Sequence, residues 1–295
     1  MSFIRTLYSI PSVISYHLWT LFLFTKADIK GIVIPLTILT IASTPLASPL
    51  RLFYASSWVW LAVLQCNFPN QTLSKIEDEK NKKDRPIPSG RITYETTIKL
   101  RWLIIPVFLA ISACCSLETM YTAIAVCVLT YLYNEAGIAA GHWFGRNFII
   151  ALGYAACGVG ACLVAGNNPH ELNDTARLSI LCCVGVVTTT IHAEDFKDVI
   201  GDSLVGRRTL PIIAPAFTRY SFPFLTVGWS IPLCMIWRLS LIVAVAYVAL
   251  GMLVGYRFAI YDSVKEDQNS FYLYCLWFTL GSSLPANIHL SSEAF

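Results

Sequence analysis

The chain has 295 residues, 56% of them hydrophobic and only 13% charged, against about 45–50% and about 25% in soluble domains, which excludes an ordinary water-soluble globule. The formal charge of +3 is small, and the cations are interleaved with acids, which excludes a nucleic-acid-binding face. Apolar runs follow one another with short polar breaks and no Pro-, Gly- or Ser-rich linker, so residues 1–295 are expected to form a single all-α membrane domain.

At the amino end, residues 12–25 mix Tyr16, His17 and Trp19 with Leu and Phe. Pro11, Ser15, His17 and Thr20 interrupt the apolar stretch, and no small-residue cleavage site follows. The expectation is an interfacial helix within residues 1–30, not a cleaved signal peptide. A crossing there would shift the parity of every later segment by one.

A crossing helix needs about 20 mostly apolar residues. That rule marks nine spans, at 31–46, 51–69, 98–115, 119–136, 147–166, 176–192, 220–237, 239–258 and 270–288. Two longer polar segments, 70–95 and 193–219, interrupt the series after the second and sixth spans. Four crossings separate them, so both emerge on the same side of the bilayer.

Arg5, Lys26, Lys30, the eight cations from Lys75 to Arg101, Arg146, Lys197, Arg207, Arg208, Arg219, Arg257 and Lys265 fall on that side, against Arg51, Arg177 and Arg238 opposite. The positive-inside rule therefore puts both polar segments and the amino terminus at the cytosolic face. The ten cysteines lie mostly inside apolar runs, without CxxC spacing or paired histidines, and read as reduced thiols.

The second segment reads HAEDFKDVIGDSLVGRRTLPI, with Asp195, Asp198 and Asp202 spaced i, i+3, i+7. On one helix these carboxylates share a face and repel, unless a cation sits among them. Mg²⁺ takes oxygen ligands, usually one or two carboxylates together with phosphate oxygens. Lys197, Arg207 and Arg208 add phosphate-binding cations. A solvated acidic loop is the plain alternative.

The first segment reads NQTLSKIEDEKNKKDRPIPSGRIT. Asn70, Ser74, Asp78 and Asn81, or Glu77 and Asn81, recur near helical spacing and present side-chain oxygens. Lys82, Arg85 and Arg91 alternate with Pro86, Pro88 and Gly90, which end the helix and fold the cationic stretch into a loop able to cover a diphosphate. The alternative is a juxtamembrane basic patch on anionic lipid.

Together, NQxxSxxEDxxNKxxRPIPSGR and DFxDxxGDxxxGRRTLP resemble the paired aspartate-rich motifs of the UbiA superfamily of intramembrane prenyltransferases. The resemblance covers nearly the whole chain. It implies about nine transmembrane helices around a central cavity, Mg²⁺ as cofactor and a prenyl diphosphate as substrate, with no obligate protein partner. The second motif matches at Asp195, Asp198 and Asp202. The first departs: Gln71 and Ser74 stand where many members carry Asp, while Asn70 and Asp78 are retained. The implied metal ligands are Asn70, Asp78, Asp195, Asp198 and Asp202, the four aspartates being the catalytic set, and Asn70, Lys82, Arg85, Asn147, Lys197 and Arg208 are the implied diphosphate ligands.

The altered first motif, YHLWTLFLFTKADIK and YNEAGIAAGHWFGRN resemble fungal UbiA-type proteins of terpenoid pathways, a branch that includes transmembrane terpene cyclases. That resemblance implies ionisation of a geranylgeranyl or farnesyl diphosphate and cyclisation of the cation, with geranylgeranyl favoured. A transferase passing the prenyl group to an acceptor is the competing expectation. Trp58, Trp60, Tyr131, Tyr133, Trp143 and Phe144 are candidates for the cavity wall, His142 for a diphosphate contact, and His192 for a hydrogen-bonded helix-end residue. Charges do not recur in the middle of the spans, which disfavours a transporter or scaffold.

Overall fold

The computed structural model describes residues 2–288, and these form helices joined by short connections, with no strand among them. In chain order they are α1 (Ser2–Thr25), a π-helical turn (Ile29–Val33), α2 (Ile34–Ser43), α3 (Pro49–Leu73), α4 (Lys75–Asn81), α5 (Tyr94–Cys115), α6 (Leu117–Asn134), α7 (Ile138–Gly141) and α8 (Trp143–Ala165). There follow α9 (Asp174–Thr190), two 3₁₀ turns (Ile191–Ala193 and Asp195–Asp198), α10 (Val199–Leu204), α11 (Leu210–Ile213), α12 (Pro215–Ile236), α13 (Leu241–Ile260) and α14 (Val264–Ser283). Among the described residues a helix overlaps each of the expected spans, the first being the π-helical turn running into α2.

Local sequence sets the helix starts. Ser48, Thr93, Ser116, Asn173 and Ser263 each cap a long helix by accepting a backbone N–H three residues on, a contact worth about 0.5–2 kcal/mol. The Ser263 cap starts α14 at Val264, six residues before the span that hydropathy alone marks.

Among the described residues four stretches, Tyr94–Cys115, Trp143–Ala165, Asp174–Leu204 and Leu241–Ile260, are long and apolar enough to cross a bilayer by themselves. The outer surface is apolar as well: Leu241 and Ile242 on α13 are 79% and 83% exposed, and Phe224 on α12 is 79% exposed. Water would not tolerate so continuous an apolar exterior, and lipid does. The chain is an integral membrane protein.

Without a hydrophobic drive between helices in lipid, close packing depends on small residues. Gly251 and Gly255 form a GxxxG pair on α13 that seats α12; a Cβ on Gly255 would lie 2.3 Å from Pro223 Cα. Gly160 on α8 likewise receives the Trp58 ring, where a Cβ would meet Cη2 at 2.1 Å. Trp58 is thereby committed to packing, with Phe108 beside it and its Nε1–H on Ser112.

The two polar segments meet, as the parity of the crossings allows. α4 packs on α10, Lys82 Nζ reaches Asp198 Oδ2 at 3.5 Å, and Arg207 Nη2 donates to Ser74 Oγ at 3.2 Å. The cationic loop after α4 is tied to α1: Tyr16 donates to the Arg91 carbonyl, and Arg91 Nε donates to Thr20. Gly90 makes the reversal in this loop with a φ of 69°, a left-handed conformation that suits glycine.

Candidate active site

A cavity of about 200 Å³ opens between α3, α6, α8, α14 and the π-helical turn, beneath the two polar segments. Its polar end carries Asp28, Asn67, Asn70, Lys82, Arg85, Tyr133, Asn134, Arg146, Glu194, Asp198, Asp202 and Arg207. Its apolar end carries Ile32, Val63, Val126, Ile149, Tyr154, Cys157, Phe271, Tyr274 and Phe278. Val63 stands seven residues before Asn70 on α3, which at about 1.5 Å per residue makes the lining run roughly 10 Å from polar to apolar.

The carboxylates of the polar segments are held by cations. Arg85 Nη1 sits 2.7 and 2.8 Å from the two oxygens of Asp78. Arg146 Nη2 is 2.7 Å from Asp195 Oδ1, and another of its nitrogens bonds the Tyr133 hydroxyl. Lys197 Nζ lies 3.0 Å from Asp198 Oδ2 and 3.7 Å from Glu194. Arg207 Nη1 is 2.9 Å from Asp202 Oδ1. Gly206, at a φ of 71°, turns the chain so that the Arg207 amide bonds the Asp202 carbonyl and the guanidinium falls back on the carboxylate.

Several expectations need correction. Asp195, Asp198 and Asp202 do not ride one α-helix: two 3₁₀ turns precede α10, so Asp198 and Asp202 line the cavity while Asp195 is buried beneath Arg146. Asp78 is also outside the lining, 1% exposed beneath Arg85, and Lys197 lies behind the wall with its ammonium over the Phe271 ring. Asn147 turns away to the Thr188 carbonyl between α8 and α9, and its neighbour Arg146 faces the cavity instead. Arg208 is exposed, and Arg207 takes the place expected for it.

Of the six aromatic candidates only Tyr133 lines the cavity. Trp60 donates to Thr25, and Tyr131 and Phe144 point outward. His142 caps α8 through its Nδ1. His192 is buried among Phe196 and Phe222, and neither of its ring nitrogens has a hydrogen-bond partner. The side chains of Glu77 and Asn81 lie outside the described residues.

Asp28, Asn67, Glu194 and the apolar Tyr154, Phe271, Tyr274 and Phe278 escaped sequence reasoning. Asp28 had a visible signal, a carboxylate between Lys26 and Lys30 at the edge of the first span. Burial raises its carboxyl above the ordinary range, and the charge of Glu194 adds to the effect.

Two motif-bearing segments closing the polar end of an apolar, helix-walled cavity fit one family, and comparison bears this out. The model of the UbiA prenyltransferase family matches residues 32–280. The chain belongs to the UbiA prenyltransferase family. It is 32% identical over 284 residues to the fumagillin beta-trans-bergamotene synthase of Aspergillus fumigatus, covering 93% of this chain and 94% of that protein. Two Hericium erinaceus proteins are also similar: a polyprenyl transferase, 26% identical over 88% of this chain and 87% of its own, and a diterpene cyclase, 25% identical over 91% and 89%. A UbiA homolog from Archaeoglobus fulgidus, solved with GPP and Mg²⁺, shares the fold at a TM-score of 0.64 and 12% identity, covering 90% of this chain and 99% of that one.

The donor set can be tested against the family's metal. Among the described residues no three of His, Cys, Asp and Glu stand close enough to hold an ion by themselves. Hard oxygen donors, Asn70, Glu194, Asp198 and Asp202, nevertheless face the same cavity end. Mg²⁺ usually takes one or two carboxylates and completes its shell with phosphate oxygens and water, so this sparse oxygen set fits it. Charge points the same way: the lining carries Lys82, Arg85, Arg146 and Arg207 against Asp28, Glu194, Asp198 and Asp202, four against four, leaving no net positive charge for a polyanion.

Proposed function

We propose that this UbiA-family chain is an Mg²⁺-dependent intramembrane terpene cyclase that ionises an allylic prenyl diphosphate and closes the cation into a hydrocarbon. The observation that carries the proposal is one cavity that joins a polar end, where cations and carboxylates of both motifs meet, to an aromatic apolar end. The near full-length similarity to a bergamotene synthase and a diterpene cyclase supports it.

Lys82, Arg85, Arg146 and Arg207 bind the diphosphate oxygens at the polar end. Asp78 and Asp195 act through the guanidiniums they hold, fixing Arg85 and Arg146 in the cavity wall. Asn70, Asp198 and Asp202 are the residues that would hold Mg²⁺. Held there, Mg²⁺ would supply charge neutralisation for the departing diphosphate. The fixed cations do the same work electrostatically in a water-poor setting, and no protein nucleophile is required.

The prenyl chain occupies the apolar end. There the aromatic rings of Tyr154, Phe271, Tyr274 and Phe278 favour positive charge without reacting with it. Walls of Val63, Val126 and Ile149 keep water from the cation. Residues 1–295 act as one domain in this proposal, with the polar end at the cytosolic face, a sidedness that the cation asymmetry supports.

A transferase is the second reading, favoured by the similarity to the Hericium polyprenyl transferase. Membranes bearing the protein, given Mg²⁺ and either geranylgeranyl or farnesyl diphosphate without acceptor, decide between them. The cyclase yields a new cyclic hydrocarbon by mass spectrometry, lost with EDTA and in Asp198→Ala. Intact substrate until an aromatic acceptor is supplied would establish the transferase.

A further inference from the structure

Four carboxylates line the cavity, and they are not equivalent. Among the described residues, Glu194, Asp198 and Asp202 each form an ion pair with Lys or Arg, whereas no ion pair reaches Asp28. Its Oδ2 accepts instead from Asn67 Nδ2 at 2.7 Å. The Asn67 amide orients the carboxylate; it lowers the basicity of Asp28, as Arg85 and Lys82 do from further off, but burial and the charge of Glu194 outweigh all three.

The position is fixed by the backbone. Asp28 precedes the π-helical turn, and its carbonyl accepts from the amides of Ile32 and Val33. The side chain does not cap that turn and is left to face the cavity. Tyr154, from across the cavity, donates to the Gly31 carbonyl at 2.7 Å and pins the turn to α8. Asp28 and Asn67 thus stand where the polar lining gives way to Ile32 and Cys66.

We propose that Asp28 is the general base that ends the cyclisation, with Asn67 as its positioning residue. The reaction must finish by losing a proton from a carbon next to the cationic centre. That C–H electron pair becomes the new C=C bond, and the proton passes to a carboxylate oxygen of Asp28, leaving a neutral acid. Re-ionisation through the polar end restores the base. Burial raises the basicity of Asp28, which suits it to the task. The rival base is the released diphosphate.

This inference rests on the cyclase reading, and one experiment separates the two. Wild-type membranes are assayed with each prenyl diphosphate for diphosphate released and hydrocarbon formed; absence of hydrocarbon overturns the cyclase reading itself. With wild type active, Asp28→Asn is expected to lower hydrocarbon formed per diphosphate released at least tenfold, with prenyl alcohols or isomeric alkenes in its place. Asn67→Ala is expected to shift the same ratio in the same direction, less far. An unchanged product profile and ratio in Asp28→Asn, at whatever rate, would show that diphosphate takes the proton and Asp28 is structural. Should Asp28→Asn fail to fold by its melting profile in detergent, Asp28→Glu replaces it: moving the carboxylate by one methylene is expected to change the proportions of alkene isomers, and unchanged proportions overturn the proposal.

Discussion

Arg207 and Arg208 are adjacent, identical in chemistry and opposite in placement, so they form a sharp test of the site. Arg207 lines the cavity, held by Asp202 at 2.9 Å and by Ser74 at 3.2 Å, whereas Arg208 is exposed. A hydrogen bond to a charged group contributes about 1.5–3 kcal/mol. Losing one at the diphosphate through Arg207→Ala is therefore expected to lower kcat/KM by roughly 10–150-fold. Arg208→Ala, an exposed change away from the cavity, is expected to stay within about 0.5 kcal/mol, near twofold. Diphosphate release followed over a range of substrate concentrations in detergent or nanodiscs measures both. Equal losses, or a larger loss from Arg208→Ala, would refute the placement of the polar end.

Asp195→Asn removes the partner of Arg146, which is itself 8% exposed, and breaking a buried pair costs about 3–5 kcal/mol. Reduced thermal stability together with at least a tenfold fall in diphosphate release is expected, and unchanged turnover would remove Asp195 from the site. Gly255→Val forces a side chain into the space of Pro223 and is expected to destabilise the α12–α13 contact by about 1–3 kcal/mol or more, seen as a lower melting temperature in detergent. His192→Leu removes a buried ring whose nitrogens lack partners, where an unsatisfied polar group costs about 1–3 kcal/mol. Stability should hold or rise and turnover should persist; a loss of turnover in folded protein would assign His192 a chemical role.

The helices were legible because each depends on nearest neighbours along the chain: an apolar run for the span, and Ser, Thr or Asn at its start. The start of α14 was missed only because hydropathy counts Glu266 and Asp267 as breaks, whereas Asp267 is buried against Arg219 and the Glu266 carboxylate pairs with Arg257. Residue spacing also foretold that the two polar segments share one side. It misjudged Asp195, Asp198 and Asp202 because the chain leaves α-helical geometry at Ile191, and the i, i+3, i+7 rule holds only on a regular helix.

By itself, the sequence determined that the chain lives in lipid, that it is helical, and that its acids and cations gather in two segments able to meet, since composition and periodicity are properties of the chain alone. Which of two adjacent residues faces the cavity, Arg146 or Asn147, Arg207 or Arg208, was decided only by tertiary structure. A side chain's direction depends on local helix phase and on the partner that captures it: Thr188 takes Asn147, Asp195 takes Arg146, and Gly206 folds Arg207 back onto Asp202. Asp28 became visible for the same reason, because α3 brings Asn67 to it from 39 residues away.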